Sequence, residues 1–316
     1  MKLDRVTIIG FIKATIFGFT YLAVSDVLEK ISVFDLLAYR FTAAALTFLL
    51  FQLFGVIKIR LKGKNVGNLI VIALFQPIGY YIFEAIGISK TSSLLSGIIV
   101  SFSPIIVIVL ESIILKEKSS IKQKLFVLLS AAGVLLIAAM TGKQDTSSSF
   151  IGVLFIFLAV LSEGFFMTFT RKNTEEFSSI EITYVLMMVS AIAFNGINLV
   201  IHISQGTAAQ YFVPLLDGTV LLEVLYLGVL ASSVAYVLYA FMLSKIQASS
   251  TAIFAGVCTV VSILAGIIFR NESFLWYHAV GTVMILAGVW GVSAFQQEKI
   301  SEGHKQQKSV LIEKTK

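Results

Sequence analysis

The chain reads YYIFEAIGISK over residues 80–90 and AYVLYAFMLSK over residues 235–245. The two segments align without a gap when 155 is added to the residue number, and the alignment continues from Tyr80–Val134 onto Ala235–Val289. Eleven of the 55 aligned pairs are identical, and several lie at polar landmarks: Ser89 and Ser244, Lys90 and Lys245, Glu117 and Glu272. In so apolar a chain, the absence of gaps carries more weight than the count. The repeat predicts a protein built from two related halves.

The composition indicates an integral membrane protein. Of the 316 residues, 57% are hydrophobic and only 13% are charged, whereas a soluble domain is about half apolar and a quarter charged. The apolar runs are unbroken and do not alternate, so the spans are predicted to be helices and not barrel strands. The only cysteine, Cys258, lies in such a run, and we expect it to act as a small buried apolar side chain.

Runs of membrane-spanning length predict ten transmembrane helices in an all-α fold. The turns at Ser89-Lys90 and Ser244-Lys245 are very short, and short turns join antiparallel neighbours, so helices 3 and 4 and helices 8 and 9 are expected to form hairpins. The predicted spans are 6–25, 35–56, 66–88, 91–115, 121–141, 149–170, 180–202, 219–241, 246–269 and 275–295.

The lysines and arginines are distributed very unequally between the two sides of this arrangement. Eighteen of the 24 fall in one set of alternate loops and ends, four fall in the other, and Lys13 and Arg40 lie within spans. The positive-inside rule then places both termini in the cytoplasm, and it accounts for most of the net charge of +6 without a nucleic-acid partner.

Combining this topology with the repeat gives two halves that cross the membrane in opposite directions. The first half is assigned to residues 1–145, the second to residues 146–296, and a charged cytoplasmic tail to residues 297–316. The linker between the halves is expected between Thr141 and Ser149. Inverted halves are typical of secondary transporters, which hold a site near the midplane and alternate its access between the two sides.

Charged residues at membrane depth are costly and mark the candidate coupling or gate positions. Lys13 on helix 1 and Glu163 on helix 6 are each about 10 Å from the cytoplasmic end, given a rise of about 1.5 Å per residue. Arg40 and Glu84 form an outer layer at a similar depth to each other. One prediction is two ion pairs that hold helices together or act as gates, with Glu163 or Glu111 as the partner of Lys13, and with Glu84 as the partner of Arg40. The alternative is that these charges bind substrate or a proton in a cavity. Glu111 is shallower, near enough to the end to reach the membrane surface.

Other polar residues recur on helix faces that are expected to point into the bundle. Such faces either line a cavity or pack against a neighbouring helix, and spacing does not decide between the two. Pro104 in predicted helix 4 is expected to kink that helix. Glycines such as Gly133, Gly288 and Gly291 favour close packing or a homodimer contact. The candidate substrate-binding residues are Gln76, Tyr80, Glu84, Ser103, Phe166, Tyr236, Tyr239 and Thr259.

Several chemistries have no signature in the chain. Walker, HExxH and CxxC motifs are absent, and His202, His278 and His304 are scattered. We therefore expect no ATP-driven step, no metal site, no cofactor and no enzymatic activity.

Particular motifs resemble the drug/metabolite transporter superfamily and its EamA-type members. The sequence FDLLAYRF at residues 34–41 is similar to the start of the family's helix 2, where an arginine follows a short apolar and aromatic run. Ser103-Pro104 with Lys116-Glu117, and Arg270-Asn271-Glu272, are similar to the family's helices 4 and 9. The resemblance covers almost all of residues 6–295. It implies a central cavity lined by helices 1, 3, 4, 6, 8 and 9, and efflux of small metabolites such as amino acids.

The sequence thus leads to one expected function and two alternatives. The expected function is a secondary transporter of the inner membrane that exports a small polar or amphipathic metabolite, with proton coupling as an option. The first alternative is an importer of an amine or vitamin. The second is a membrane subunit that does not transport and is a partner of a cell-envelope enzyme. The expected partners are the lipid bilayer and a small-molecule substrate.

Overall fold

The computed structural model describes residues 5–88, 90, 103–116, 120–141, 150–270, 275–292, 294 and 295. Most of the expected linker, the tail and the repeat landmarks Glu117 and Glu272 lie outside these residues. Within them the chain forms helices and turns and no strand, which confirms the prediction of an all-α protein. The helix structure follows from the unbroken apolar runs, because a helix satisfies its own backbone hydrogen bonds in a medium without water.

Seven helices of the described chain, α1 to α3 and α6 to α9, are long and apolar enough to cross a membrane. The other three are α5 and the shorter apolar helices α4 and α10. Ten spans and their inverted arrangement therefore stay predictions. The bounds are α1 Arg5–Leu28, α2 Val33–Leu53, α3 Val66–Gly87, α4 Ser103–Leu115, α5 Ile121–Thr141, α6 Phe150–Asn173, α7 Ser179–Ser204, α8 Gly218–Lys245, α9 Ala248–Phe269 and α10 Trp276–Val292.

Side chains cap several helix starts, where the first backbone N–H groups have no partner within the helix. Ser32 caps α2. Ser178 and Glu181 form a reciprocal capping box at the start of α7. Asp217 caps α8 and lies 2.8 Å from the Lys30 ammonium. The hydrogen bond from Lys30, together with the N–H groups of the first turn, lowers the pKa of Asp217 to about 2.

Two long helices contain an irregular turn next to the centre of the bundle. In α3 the segment Leu74–Gly79 is π-helical, and the backbone of Gln76 leaves the helical region, with φ −147° and ψ 129°. Pro77 causes this break, because it has no N–H to donate and it disfavours helical geometry in the residue before it. In α8 the π-helical segment is Tyr226–Val234. Adding 155 to 74–79 gives 229–234, so the two turns occupy equivalent positions in the repeat.

Helix packing follows a paired pattern. Helix α1 packs against α9, and α6 packs against α4. The second part of α3 packs against α6, as α8 packs against α1, and α2 packs against α7. Each helix of the first half corresponds to the helix numbered five higher in the second half. When every helix is replaced by its counterpart, each of these pairs becomes another pair of the set or stays the same pair. The kink expected at Pro104 stays a prediction, because the residues before Ser103 in that helix lie outside the described ones.

The glycines that were expected to allow close contact pack within the chain, between α5 and α10. A side chain at Gly133 would meet the carbonyl oxygen of Gly281 at 2.8 Å, and one at Gly291 would overlap the Phe126 ring. At Gly288 it would meet the carbonyl oxygen of Phe126 at 2.8 Å. This packing uses the faces on which a homodimer contact was expected.

We expect Gly228→Ala to destabilise the protein by about 1–3 kcal/mol, the usual cost of overpacking. A Cβ atom at Gly228 would lie 2.8 Å from the Arg40 carbonyl oxygen and 2.5 Å from the Ala43 Cβ atom, so α2 would be forced away from α8. Thermal unfolding in detergent measures the effect. The matched control is Gly196→Ala in α7, where no atom lies within 4 Å. An unchanged midpoint for Gly228→Ala would contradict the described α2–α8 contact.

Candidate functional site

A cavity of about 480 Å³ lies between helices α1, α2, α3, α6, α8 and α9. Its size is within the usual range for sites that bind small molecules. Eight of the eleven residues singled out from the sequence line it: Lys13, Arg40, Gln76, Tyr80, Glu84, Glu163, Tyr236 and Tyr239.

The other three residues do not line the cavity. The Ser103 hydroxyl donates a hydrogen bond to the Glu163 carboxylate at 2.7 Å, so it supports a lining residue from behind. Phe166 is buried and packs edge-on against the rings of Tyr236 and Tyr239. Thr259 is partly exposed, and its hydroxyl donates to the Ala255 carbonyl oxygen at 3.4 Å. Ser103 and Phe166 therefore position cavity residues, whereas Thr259 is separate from the cavity.

The cavity extends along α1 from Lys13 to Leu28, a distance of about 22 Å at 1.5 Å per residue. Leu28 and Val33, at the end of α1 and the start of α2, line it while being 39% and 37% exposed. The cavity is therefore accessible at this end of the bundle. Beyond Lys13 the opposite end is filled, because α1 packs so closely on α9 that a Cβ atom at Gly10 would overlap the Phe254 ring.

The expected ion pair between Lys13 and Glu163 is not formed. Lys13 is 4% exposed, and its ammonium lies 4.0 Å from the centre of the Tyr239 ring. Glu163 accepts its hydrogen bond from Ser103 instead. The two charges interact only at longer range, and both side chains line the cavity. The sequence predicts how far along a helix each charge lies, but it does not predict the direction in which each side chain points from its helix.

The expected outer pair between Arg40 and Glu84 is also absent as a direct contact. The Arg40 Nε atom donates to the Ser232 hydroxyl at 2.7 Å, and the guanidinium lies 5.2 Å from the centre of the Tyr81 ring. The Glu84 carboxylate accepts a hydrogen bond from the Tyr80 hydroxyl at 2.8 Å. Arg40 is held by α8 because Ser232 belongs to the irregular turn that faces α2.

Glu111 closes the end of the bundle opposite the opening. The expectation that it reaches the membrane surface is wrong, since it is 1% exposed. Its carboxylate accepts hydrogen bonds from the backbone N–H groups of Ala248 and Ser249 at 2.7 and 3.3 Å, and from the Ser249 hydroxyl at 2.5 Å. Arg171 lies 3.8 Å away and donates to the Leu243 carbonyl oxygen at 2.9 Å. Glu111 therefore ties α4 to α6 and to the start of α9, while Arg171 reaches the end of α8.

Several lining residues were missed by the sequence analysis. Helix α2 lines the cavity, whereas the resemblance implied helix 4, whose described part contributes no lining residue. Tyr81 and Cys258 also line it. Tyr81 carried a signal, because it is one of the polar matches in the repeat. Cys258 carried none, since a cysteine in an apolar run is usually a packing residue.

The cavity combines charges of both signs with aromatic walls. Two cations and two carboxylates line it together with four tyrosines. Among the described residues, no group of three or more His, Cys, Asp or Glu side chains is placed to hold a metal ion. Such an arrangement suits a small molecule that has polar or charged ends and an apolar body.

Comparisons with known proteins agree with this picture. The model of the family described as EamA-like transporter family matches residues 5–139 and residues 150–294. An uncharacterized transporter of Bacillus subtilis strain 168, YcxC, is 37% identical over 284 residues, which cover 90% of this chain and 91% of that protein. An uncharacterized transporter of Archaeoglobus fulgidus is 21% identical over 87% of this chain and 94% of its own length.

Two further similarities cover only part of the chain or concern only its fold. A probable sugar phosphate/phosphate translocator of Arabidopsis thaliana is 26% identical over 184 residues, which cover 55% of this chain and 43% of that protein. A crystal structure of another protein is similar in fold, with a TM-score of 0.74 and 16% identity over 92% of this chain and 99% of that chain. At this identity the structural match shows a shared fold and nothing about substrate.

Proposed function

Because this chain belongs to the EamA-like transporter family of the drug/metabolite transporter superfamily, we propose that it is a secondary active transporter that exports a small polar or amphipathic metabolite, such as an amino acid. The family is one of multi-pass membrane transporters, and to this membership we add a substrate class, a direction and a mechanism. The observation that carries it is the cavity, which holds charges of both signs and is accessible at the end of the bundle near Leu28 and Val33.

Alternating access between two inverted halves is supported by three features of the repeat. The family model matches the chain twice, once in each half. The irregular turns of α3 and α8 lie at equivalent positions of the repeat. The pairs of packed helices are preserved when each helix is replaced by its counterpart in the other half. Broken helices next to a central site are common where inverted repeats bind their substrates.

The proposed orientation has both termini in the cytoplasm of a cell whose inner membrane holds the protein. The turn between α1 and α2 then lies outside, and so does the opening near Leu28 and Val33. In this orientation the structure corresponds to an outward-open state, with Glu111 closing the cytoplasmic end. Export would require this closed end to open and the outer end to close.

Overexpression in cells that are challenged with toxic amino-acid and amine analogues tests the direction of transport. We expect resistance, because export lowers the internal concentration of the analogue. The matched variants are Ala85→Phe, which fills part of the cavity, and Ala193→Phe on α7, which does not line it. Resistance should be lost in the first and kept in the second. Hypersensitivity would instead favour import, and no effect across a broad panel would favour the role of a subunit that does not transport.

A further inference from the structure

Arg40 has an unusual environment for a charged side chain. It is 3% exposed, lies about 10 Å from the start of α2, and lines the cavity. Within the described part of the chain its hydrogen bonding is limited to the Nε atom, which donates to Ser232. No carboxylate of those residues lies within ion-pair distance of the guanidinium. The two terminal amino groups are therefore left without a hydrogen-bond acceptor among the described residues.

A guanidinium stays charged under all conditions that a protein meets, so it cannot relieve its burial by losing a proton. A buried charge without a partner is costly, and such charges in membrane proteins are usually paired or directed into a functional cavity. The ring of Tyr81 provides partial compensation through a cation–π contact. The rest of the guanidinium charge requires an anion as its partner, and an anion can enter the cavity from its open end.

We propose that the terminal amino groups of Arg40 bind the acidic group, carboxylate or phosphate, of the transported metabolite. The inference rests on the proposed function, because it takes the bound anion to be one end of the substrate. An arginine suits this role because its planar fork can donate two parallel hydrogen bonds to two oxygen atoms. Ser232 holds the Nε edge of the guanidinium and Tyr81 contacts its central carbon, which leaves the two terminal amino groups for the ligand.

Gln76 supplies an independent observation at the same site. Its side chain is 7% exposed, and its Nε2 atom donates to the Tyr236 hydroxyl at 3.4 Å. Its Oε1 atom is buried and accepts no hydrogen bond from any residue that the structure describes. A buried acceptor without a donor is costly, so a ligand with an N–H or O–H group would satisfy it. Arg40 and Gln76 together select a molecule that has an acidic group and a hydrogen-bond donor.

The competing explanation is that Glu84 neutralises Arg40 at longer range, since the two charges interact across the cavity. In that case both side chains would only hold helices together, and added anions would have no site. The minimal probes that separate the two explanations are acetate and inorganic phosphate. They carry the two acidic groups without the rest of a substrate.

The experiment is thermal unfolding of the purified full-length protein in detergent, in sodium acetate or sodium phosphate, with sodium chloride of equal ionic strength as reference. We expect a saturable rise of about 2–4 °C in the midpoint when the anion reaches about ten times its dissociation constant. The rise should be lost in Arg40→Gln and kept in Arg60→Gln, whose exposed side chain lies in the turn before α3. A response to acetate alone assigns a carboxylate, and a response to phosphate alone assigns a phosphate.

If Arg40→Gln does not fold, Arg40→Lys keeps the charge and removes the fork. Its half-saturating acetate or phosphate concentration should then rise at least about tenfold. The proposal is overturned if neither anion stabilises the parent beyond chloride, or if the Arg40 variants respond as the parent does. Binding in detergent requires no transport, so a negative export screen together with Arg40-dependent stabilisation would reject the proposed function while leaving the anion site intact.

Discussion

Glu111→Ala is expected to lower the free energy of unfolding by about 3–5 kcal/mol, the usual effect of removing one partner from a buried charged network. The carboxylate accepts the first backbone N–H groups of α9, which have no partner inside that helix. Its negative charge also lies at the positive end of the α9 dipole. Without it, Arg171 keeps its charge but loses its neighbouring carboxylate. Thermal unfolding in detergent should show a decrease of about 10 °C.

Glu175→Ala is the matched control, because Glu175 is an exposed acidic residue in the turn after α6. We expect its midpoint to stay within about 1 °C of the parent, as is usual for surface substitutions. Equal midpoints for the parent and for Glu111→Ala would show that the network contributes nothing to stability.

The same substitution should change the side of the membrane from which a reagent can enter the cavity. Cys258 is the only cysteine of the chain and lines the cavity, so a membrane-impermeant thiol reagent reports access without added mutations. In the proposed orientation the parent should react from the outer face. Glu111→Ala should gain at least about fivefold in rate from the cytoplasmic face, because the closed end loses its connections. A variant that folds but keeps the parent's sidedness would contradict the closing role of Glu111.

Glu163→Gln is expected to abolish the response of transport to pH, if the proposed proton coupling is carried by this carboxyl group. Glu163 is the acidic residue of α6 that lines the cavity, where its only described hydrogen bond comes from Ser103. Glutamine keeps the size and the ability to accept that bond, but it cannot bind or release a proton. In proteoliposomes, accumulation driven by a pH gradient should fall at least about tenfold, whereas exchange at equal pH should fall less.

Glu84→Gln provides the comparison for Glu163→Gln. Glu84 is the second carboxyl group that lines the cavity and accepts its bond from Tyr80. If Glu163 alone carries the proton, Glu84→Gln should keep the shape of the parent's pH profile even where its rate is lower. Should Glu163→Gln retain the parent's pH profile, the coupling role belongs to another group or the transporter uses no proton.

The difference between what could and could not be predicted is clearest for the charged residues. The apolar runs predicted that Lys13, Arg40, Glu84 and Glu163 lie at membrane depth, and all four line the cavity. Their partners were predicted wrongly, because two residues at one depth meet only if their helices are neighbours and both side chains point to the same side. Glu111 shows the same limit, since its position near a helix end says nothing about the α9 terminus that covers it.

The irregular turns show that part of the missing information was in the sequence. Gln76-Pro77 lies in the middle of an apolar run, and a proline there breaks a helix. The α8 turn at Tyr226–Val234 contains no proline, but it holds Gly228 and Ser232-Ser233, which are a weaker signal for an irregular helix. Its position became meaningful through its equivalence with α3.

By itself, the sequence determined that this protein is an all-helical membrane protein with a repeated half and that it is related to a transporter family. These conclusions depend on hydrophobicity, chain length and similarity, all of which are properties of segments. The tertiary structure alone decided which end of the bundle is open, that Ser232 holds Arg40, and that Glu111 caps α9. Those features depend on the rotation of each helix about its axis and on its neighbours, which are set by side-chain packing between distant segments.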